Sequence, residues 1–323
     1  MITTENRRAE QSSIPLQEAV EAPPSPQTLA ETGLSESQVS DLLLKAIFKR
    51  GAMQGSELAD AICLPFVVLD DILLSLTQRH FVEVLGATGR SRAGYRYDLT
   101  DEGRSRASAA LSASRYVGPA PVPLPQFEER VRRQSVRNLR ISQELLNEAF
   151  SDLVLPEEVM AALGPAVNSG SSIFLHGAAG NGKTAIADRL GSLISSEIYL
   201  PYAIIVDGHI IVVFDPVFHQ RVDEEESSGA EGGLIRQTAS TDRRFRRIRR
   251  PTVFVGGELM MEQLDLQLSK FSQIYRAPFQ VKASGGVLIV DDFGRQRMSP
   301  AELLNRWIVP LEMGFDNLTL DTG

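Results

Sequence analysis

Apolar and polar positions fall along this chain in blocks of different period, and each period predicts a different element. Across Ser35-Glu-Ser-Gln-Val-Ser-Asp-Leu-Leu-Leu-Lys-Ala-Ile-Phe48 the spacing is that of an amphipathic helix, which stops at Gly51. Ser56 caps a short helix through Ala61, and a third helix runs from about Pro65 to Arg79. The period then falls to two. Phe81-Val-Glu-Val-Leu and Tyr95-Arg-Tyr-Asp-Leu flank a Gly-, Ser- and Arg-rich tip at 86–94, which predicts a hairpin. Thr100-Asp-Glu-Gly-Arg opens a closing helix. Farther on, Ile173-Phe-Leu and Val287-Leu-Ile-Val are short apolar runs of the kind buried parallel strands show, and Thr184 to Leu193 reads as a helix. Apolar runs on both sides of Asp207-Gly208, from Tyr202 to Phe214, predict a hairpin with a type I′ turn.

Polar and proline-rich stretches separate these blocks. Residues 1–34 hold Pro15, Pro23, Pro24 and Pro26 and no aromatic side chain, too little apolar surface to offset the entropy of ordering; they predict a disordered tail. Tyr116-Val-Gly-Pro-Ala-Pro-Val-Pro-Leu-Pro125 favours an extended, semi-rigid spacer. The expected organisation is a tail at 1–34, a compact block at 35–115, a Pro-rich linker at 116–126 and a larger block at 127–323. No internal repeat stands out.

Composition narrows the classes. At about 150 residues per domain, 323 residues suit two domains plus connecting segments. Hydrophobic residues at 43% and charged residues at 23% exclude wholesale disorder. No apolar run reaches the roughly 18 residues that span a bilayer, and the polar start at Met1–Arg8 is no signal peptide. The single cysteine, Cys63, excludes a disulfide framework and any multi-thiolate metal site; it reads as buried filler. These features predict a cytoplasmic protein without membrane insertion. A net charge of −8 disfavours a general nucleic-acid coat. The basic residues are clustered, however: Arg243, Arg244, Arg246, Arg247, Arg249 and Arg250 follow a polar, acidic loop at 223–233. A solvated face pairing with that loop is the simpler expectation; an anion-binding strip is the sharper one.

The densest chemistry lies at Gly177-Ala178-Ala179-Gly180-Asn181-Gly182-Lys183-Thr184, which matches the phosphate-binding loop G-x-x-x-x-G-K-[ST] between an expected strand and an expected helix. Glycines let successive amides from Gly177 through Ala185 point inward at a helix N-terminus, forming a nest for phosphate. Lys183 would reach the β- and γ-phosphates of ATP, and the Thr184 hydroxyl would ligate Mg²⁺. A second element must hold the metal, and Gly286-Val-Leu-Ile-Val-Asp291-Asp292 supplies it: Asp291 as Mg²⁺ partner and Asp292 as the base that orients water. The catalytic set is therefore Lys183, Asp291 and Asp292. His176 reads as a strand-end packing residue, and His209 and His219 lack zinc-ligand spacing. Glu258 reads first as a cap, although a place near the γ-phosphate stays open. Arg295 and Arg297 are candidates for acting on a neighbour's nucleotide.

With Leu155-Pro-Glu-Glu-Val, Arg249-Arg-Pro-Thr-Val-Phe-Val-Gly-Gly-Glu-Leu, Asp291-Asp-Phe-Gly-Arg-Gln and Glu302-Leu-Leu-Asn-Arg-Trp-Ile-Val-Pro-Leu-Glu, the two motifs resemble the AAA+ branch of the P-loop ATPases. The group they resemble is bacterial and is described as ATPases with chaperone activity linked to Flp-type pilus assembly. The likeness covers roughly 127–323, and the block at 35–115 resembles the winged-helix domain that such proteins carry in front. It implies an α/β chain, a P-loop AAA+ core preceded by a small α+β winged-helix domain. It also implies ATP hydrolysis coupled to remodelling or assembly of a protein partner, as a homo-oligomeric ring. Two departures are visible. Asp292 stands where the family usually has Glu, so slow hydrolysis or a non-hydrolysing scaffold is an alternative. The sequence also ends at Asp316–Gly323, where the family continues into a sensor strand, an arginine finger and a lid, so the resemblance implies a core that is incomplete at its C-terminus. For the winged helix, DNA contact would use the third helix and Arg90, Arg92 and Arg96, and a nucleotide-gated DNA-binding regulator is the rival function. Asp70 and Asp71 on that helix would repel phosphate, which favours a protein-binding module.

Overall fold

The computed structural model describes residues 20–178, 180–194, 196–222 and 241–321, and these form a mixed α/β chain with eleven helices and four sheets. Among them no helix is long and apolar enough to cross a membrane.

The N-terminal block contains α1 (Leu29–Thr32), α2 (Glu36–Arg50), β1 (Met53–Gln54), α3 (Gly55–Ile62), α4 (Phe66–Gln78), β2 (Val82–Ala87), β3 (Tyr95–Leu99) and α5 (Asp101–Ala113). Local chemistry sets its boundaries. Ser35 and Gln38 form a reciprocal capping box at the start of α2, and the Thr100 hydroxyl accepts from the Gly103 amide at the start of α5. The cap of α3 is Gln54 with Glu57 rather than Ser56, which already lies inside the helix. The antiparallel sheet β1-β3-β2 closes against α2, α3 and α4, whose Leu43, Leu58, Leu69 and Leu73 are fully buried.

Two expectations about the connecting segments need correction. The tail expected at 1–34 includes packed residues: Pro24 bridges Thr241, Thr32 is fully buried and Leu34 joins the core. Residues 1–19 lie outside the described residues. The long-range hydrogen-bond partners of 20–34 come from 95 or more positions away, out of reach of a local reading; the Arg244 guanidinium holds the Thr32 carbonyl across a separation of 212. The Pro-rich linker is extended, as expected, but it is not a free spacer. Val122–Pro123 forms β4, parallel to β6 (Ala203–Val206) through Val122↔Ile204. Tyr116, Ala120 and Val122 are buried, and the Ala120 amide donates to the Ile62 carbonyl at 2.7 Å. Proline is tolerated there because β4 is an edge strand.

The larger block continues through α6 (Leu124–Arg133), α7 (Gln143–Ala149), α8 (Glu157–Asn168), α9 (Lys183–Leu193), β5 (Glu197–Pro201) and β7 (His209–Val212). After them come β8 (Phe245–Arg249), β9 (Thr252–Val255), β10 (Gln267–Ser269), β11 (Ile274–Arg276), α10 (Phe279–Lys282), β12 (Val287–Val290) and α11 (Pro300–Met313). The turn between β6 and β7 has φ of 49° at Asp207 and 82° at Gly208, the two positive values a type I′ turn requires. That hairpin sits in the five-stranded sheet β10-β11-β7-β6-β4, and its Ala203 and Ile210 enter the core of the N-terminal block. The strand expected at Ile173–Leu175 does not form. The segment is irregular, and Phe174 is 71% exposed. A strand exists through its ladder, and no described residue pairs with this one. The parallel arrangement near the loop is thus confined to β12 and β9, in register from Val287↔Thr252 to Val290↔Val255. The acidic loop expected at 223–233 lies outside the described residues.

Candidate functional site

The glycine-rich loop leads directly into α9. Gly182 caps the helix in the left-handed region at φ 72°, and Gly180 lies at φ 86°. Any side chain costs about 1–2 kcal/mol in that conformation. A Cβ at either position would meet nothing within 4 Å, so backbone conformation, not crowding, asks for glycine, and the space over the loop is open. Lys183 begins the helix and folds back over the loop, its Nζ donating to the carbonyl oxygens of Gly177 at 3.0 Å and Ala178 at 2.9 Å. Asn181 donates its amide to the Ala178 carbonyl, and Ala185 lies in the first turn of α9. Ala179 is outside the described residues.

The second motif reaches this loop. The Thr184 hydroxyl donates to Asp291 Oδ2 at 2.8 Å across a separation of 107 residues. Asp291 follows β12 and is held there by its amide, which donates to the Val255 carbonyl of β9 at 2.8 Å. Its other oxygen, Oδ1, accepts from the Asp292 amide at 2.8 Å. A hydroxyl and a carboxylate in contact at the mouth of a helix N-terminus are hard oxygen donors, the chemistry Mg²⁺ takes. Among the described residues no cluster of three His, Cys, Asp or Glu side chains is placed to hold a metal. The Thr184–Asp291 pair therefore fits Mg²⁺ only as a partial set completed by phosphate oxygens and water, the usual Mg²⁺ habit.

Asp292 is not joined to Lys183 or Thr184. Its backbone is left-handed at φ 51°, and its carboxylate is exposed, 3.9 Å from Arg295 Nη1. The turn that carries it is clamped by Gln296, a residue with no sequence signal. The Gln296 side-chain amide donates to the carbonyls of Asp291 at 2.7 Å and Asp292 at 3.1 Å, and its oxygen accepts from the Gly294 amide. Phe293 meets Phe174 edge to face at 6.1 Å, and Phe174 stacks on His176 at 6.4 Å, so the approach to the loop leans on the Asp292 turn.

The remaining sequence candidates fall elsewhere. Glu258 caps its own loop: the Gly256 amide donates to it at 3.0 Å and holds its carboxyl below the ordinary value. Arg297 gives a backbone bond to Leu259, and Arg295 is exposed. His219 is buried between the Asp215 amide and the Lys282 carbonyl, and His209 stands edge-on to Tyr275. Cys63 is buried at the end of α3.

The arginine run is not one solvated face. Arg244 and Arg250 are buried, Arg243 pairs with Asp60 at 2.7 Å, and Arg247 pairs with Glu197. In the N-terminal block Arg92 pairs with Asp70 at 2.9 Å, which removes one cation and one repelling acid together. No protein-family model matches the chain, and no curated protein matches it either.

Proposed function

We propose that this protein is an ATP- and Mg²⁺-binding P-loop ATPase of AAA+ type that couples nucleotide turnover to remodelling or assembly of a protein partner, acting as a homo-oligomeric ring. The single observation that carries the reading is the 2.8 Å contact between Thr184 and Asp291, which brings the two motifs to one point. Lys183, freed from the Gly177 and Ala178 carbonyls, would neutralise the β- and γ-phosphates, while the amides from Gly177 to Ala185 cradle them. Thr184 and Asp291 would hold Mg²⁺, which supplies charge neutralisation to the phosphates when bound. Asp292 would accept the proton of the attacking water.

The position of Asp292, turned toward Arg295, favours one variant of the reading, in which ATP is bound and held with little turnover. A carboxylate displaced by even about 1 Å loses on the order of a hundredfold in rate. The N-terminal block, proposed as a winged helix, fits a protein-binding module better than a DNA reader, because the Arg92–Asp70 pair occupies a wing cation. Duplex binding that weakens with salt and disappears on changing Arg90 and Arg92 would reverse that preference.

The test is titration of a fluorescent ATP analogue with Mg²⁺ beside phosphate release. Saturable binding is expected, lost at least tenfold in Lys183→Ala and dependent on Asp291 for its Mg²⁺ requirement. Binding with little release supports the holding variant; absence of any binding removes the nucleotide reading altogether.

A further inference from the structure

Three aromatic rings stand in contact at the approach to the glycine-rich loop, and all three are exposed: Phe174, His176 and Phe293. Phe174 meets Phe293 nearly at right angles at 6.1 Å, and it meets His176 at 6.4 Å with the planes 23° apart. These contacts cover little of the central ring. Phe174 stays 71% exposed and Phe293 40% exposed. Rings left in water forgo the burial that ordinarily stabilises a fold, and a contiguous exposed apolar patch marks a place where a ligand or partner sits.

The position of the cluster points to its occupant. Phe174 lies three residues before Gly177, so at most about 11 Å of chain separates it from the start of the loop. Phe293 lies two residues after Asp291, whose carboxylate takes the Thr184 hydroxyl at 2.8 Å. The cluster is therefore tethered to both motifs of the nucleotide site. Its far ring is also held in place: Gln296 donates to the carbonyls of Asp291 and Asp292 and accepts from the Gly294 amide, which fixes the turn on both sides of Phe293. The loop beside the rings is open, since a Cβ at Gly180 or Gly182 meets nothing within 4 Å.

Ring chemistry narrows the ligand further. Phosphate is served by the loop amides and Lys183, whereas aromatic faces serve a flat π-system, and every nucleobase presents one.

We propose that Phe174, flanked by His176 and Phe293, stacks on the nucleobase of the nucleotide whose phosphates the glycine-rich loop holds. This assignment rests on the nucleotide reading of that loop and adds a base-binding platform separate from the phosphate and metal contacts. Phe174 is the residue in contact with the base; Phe293, on its clamped turn, is a positioning residue.

The test compares two ligands with the same phosphate chain, ATP and inorganic tripolyphosphate, each titrated calorimetrically with Mg²⁺ into the full chain. ATP is expected to bind at least tenfold more tightly than tripolyphosphate. One stacked base contributes about five- to 150-fold in affinity. Phe174→Ala, an exposed change, should therefore weaken ATP at least fivefold and leave tripolyphosphate unaltered. Phe174→Trp offers a wider face and should hold or tighten ATP. Lys183→Ala should weaken both ligands. Equal weakening of the two in Phe174→Ala overturns the platform, because the ring would then be shaping the loop. Unchanged ATP binding in that variant overturns it too, and a lower oligomeric state beside it would put a second copy of the chain on the rings. A wild-type chain that binds ATP and tripolyphosphate alike fails the platform alone; one that binds neither fails the nucleotide reading itself.

Discussion

His219 shows how a single buried ring becomes a pH-dependent part of the fold. A backbone amide can only donate and a carbonyl only accept. The 2.8 Å contacts to the Asp215 N–H and the Lys282 carbonyl therefore fix the neutral tautomer, with its proton on Nε2. Burial lowers the His219 pKa below its ordinary 6.5. The charged groups facing it are Asp215 and the Lys282 ammonium, already paired with each other at 2.8 Å. Below about pH 6.5 the unfolded chain takes up a proton that the native ring resists, so stability is full above that pH and falls as the pH drops toward the lowered value. Urea unfolding from pH 8 to pH 5 should show that decline, and His219→Gln should flatten it. An unchanged slope in the variant would assign the decline to other groups. His219 was invisible as a structural residue in the sequence because its partners are backbone groups, one of them 63 positions away. Gly177, Gly180, Gly182, Lys183 and Thr184 were legible for the opposite reason: a glycine-rich turn leading into a helix is a local backbone conformation, and its residue types follow one another directly. Gln296 and Arg250 were not, since what they hold is set by the approach of distant segments.

At the scale of elements, period and turn chemistry read well wherever an element finds its partner nearby. The β6–β7 hairpin, the β2–β3 hairpin and α2, α4 and α5 lie close to where alternation and caps put them. Ile173–Leu175 had the composition of a buried strand without a described neighbour to pair with, and composition alone supplies no ladder. The reverse occurred at Val122–Pro123, where a proline-rich spacer found one. The hairpin turn offers a clean test of local control. Gly208 sits at φ 82° with nothing within 4 Å of where a Cβ would be, so Gly208→Ala brings strain without a clash. It should destabilise by about 1–2 kcal/mol, read as a lower urea midpoint with unchanged m-value. Asp207→Gly, which relieves the other positive φ at 49°, should be neutral or slightly stabilising. Equal losses in both variants would mean that side-chain contacts, not turn conformation, set this register.

Across the whole molecule the N-terminal block and the larger block meet at several points, and one of these is a buried polar node. Arg244, 2% exposed, donates to both oxygens of Asp242, to the Thr32 carbonyl at 2.9 Å and to Gln126 at 3.3 Å. Its own carbonyl accepts from Tyr202 at the start of the hairpin. Four segments far apart in sequence therefore meet on one residue, beside a core that already mixes Leu43 and Leu69 with Ala203 and Ile210. Breaking a buried pair from one side leaves an unpaired charge, at a cost of roughly 3–5 kcal/mol, whereas an exposed pair is worth less than about 1 kcal/mol. Asp242→Ala should therefore lower the unfolding midpoint steeply, while Arg106→Gln, which removes the exposed contact with Asp41, should barely move it. Because the node ties the blocks together, far-UV dichroism of the whole chain and emission of Trp307, the single tryptophan, in α11, should shift together in Asp242→Ala. If dichroism shifts while Trp307 emission does not, the blocks unfold independently, and movement at the N-terminal block could not be transmitted to the Thr184–Asp291 site through this contact.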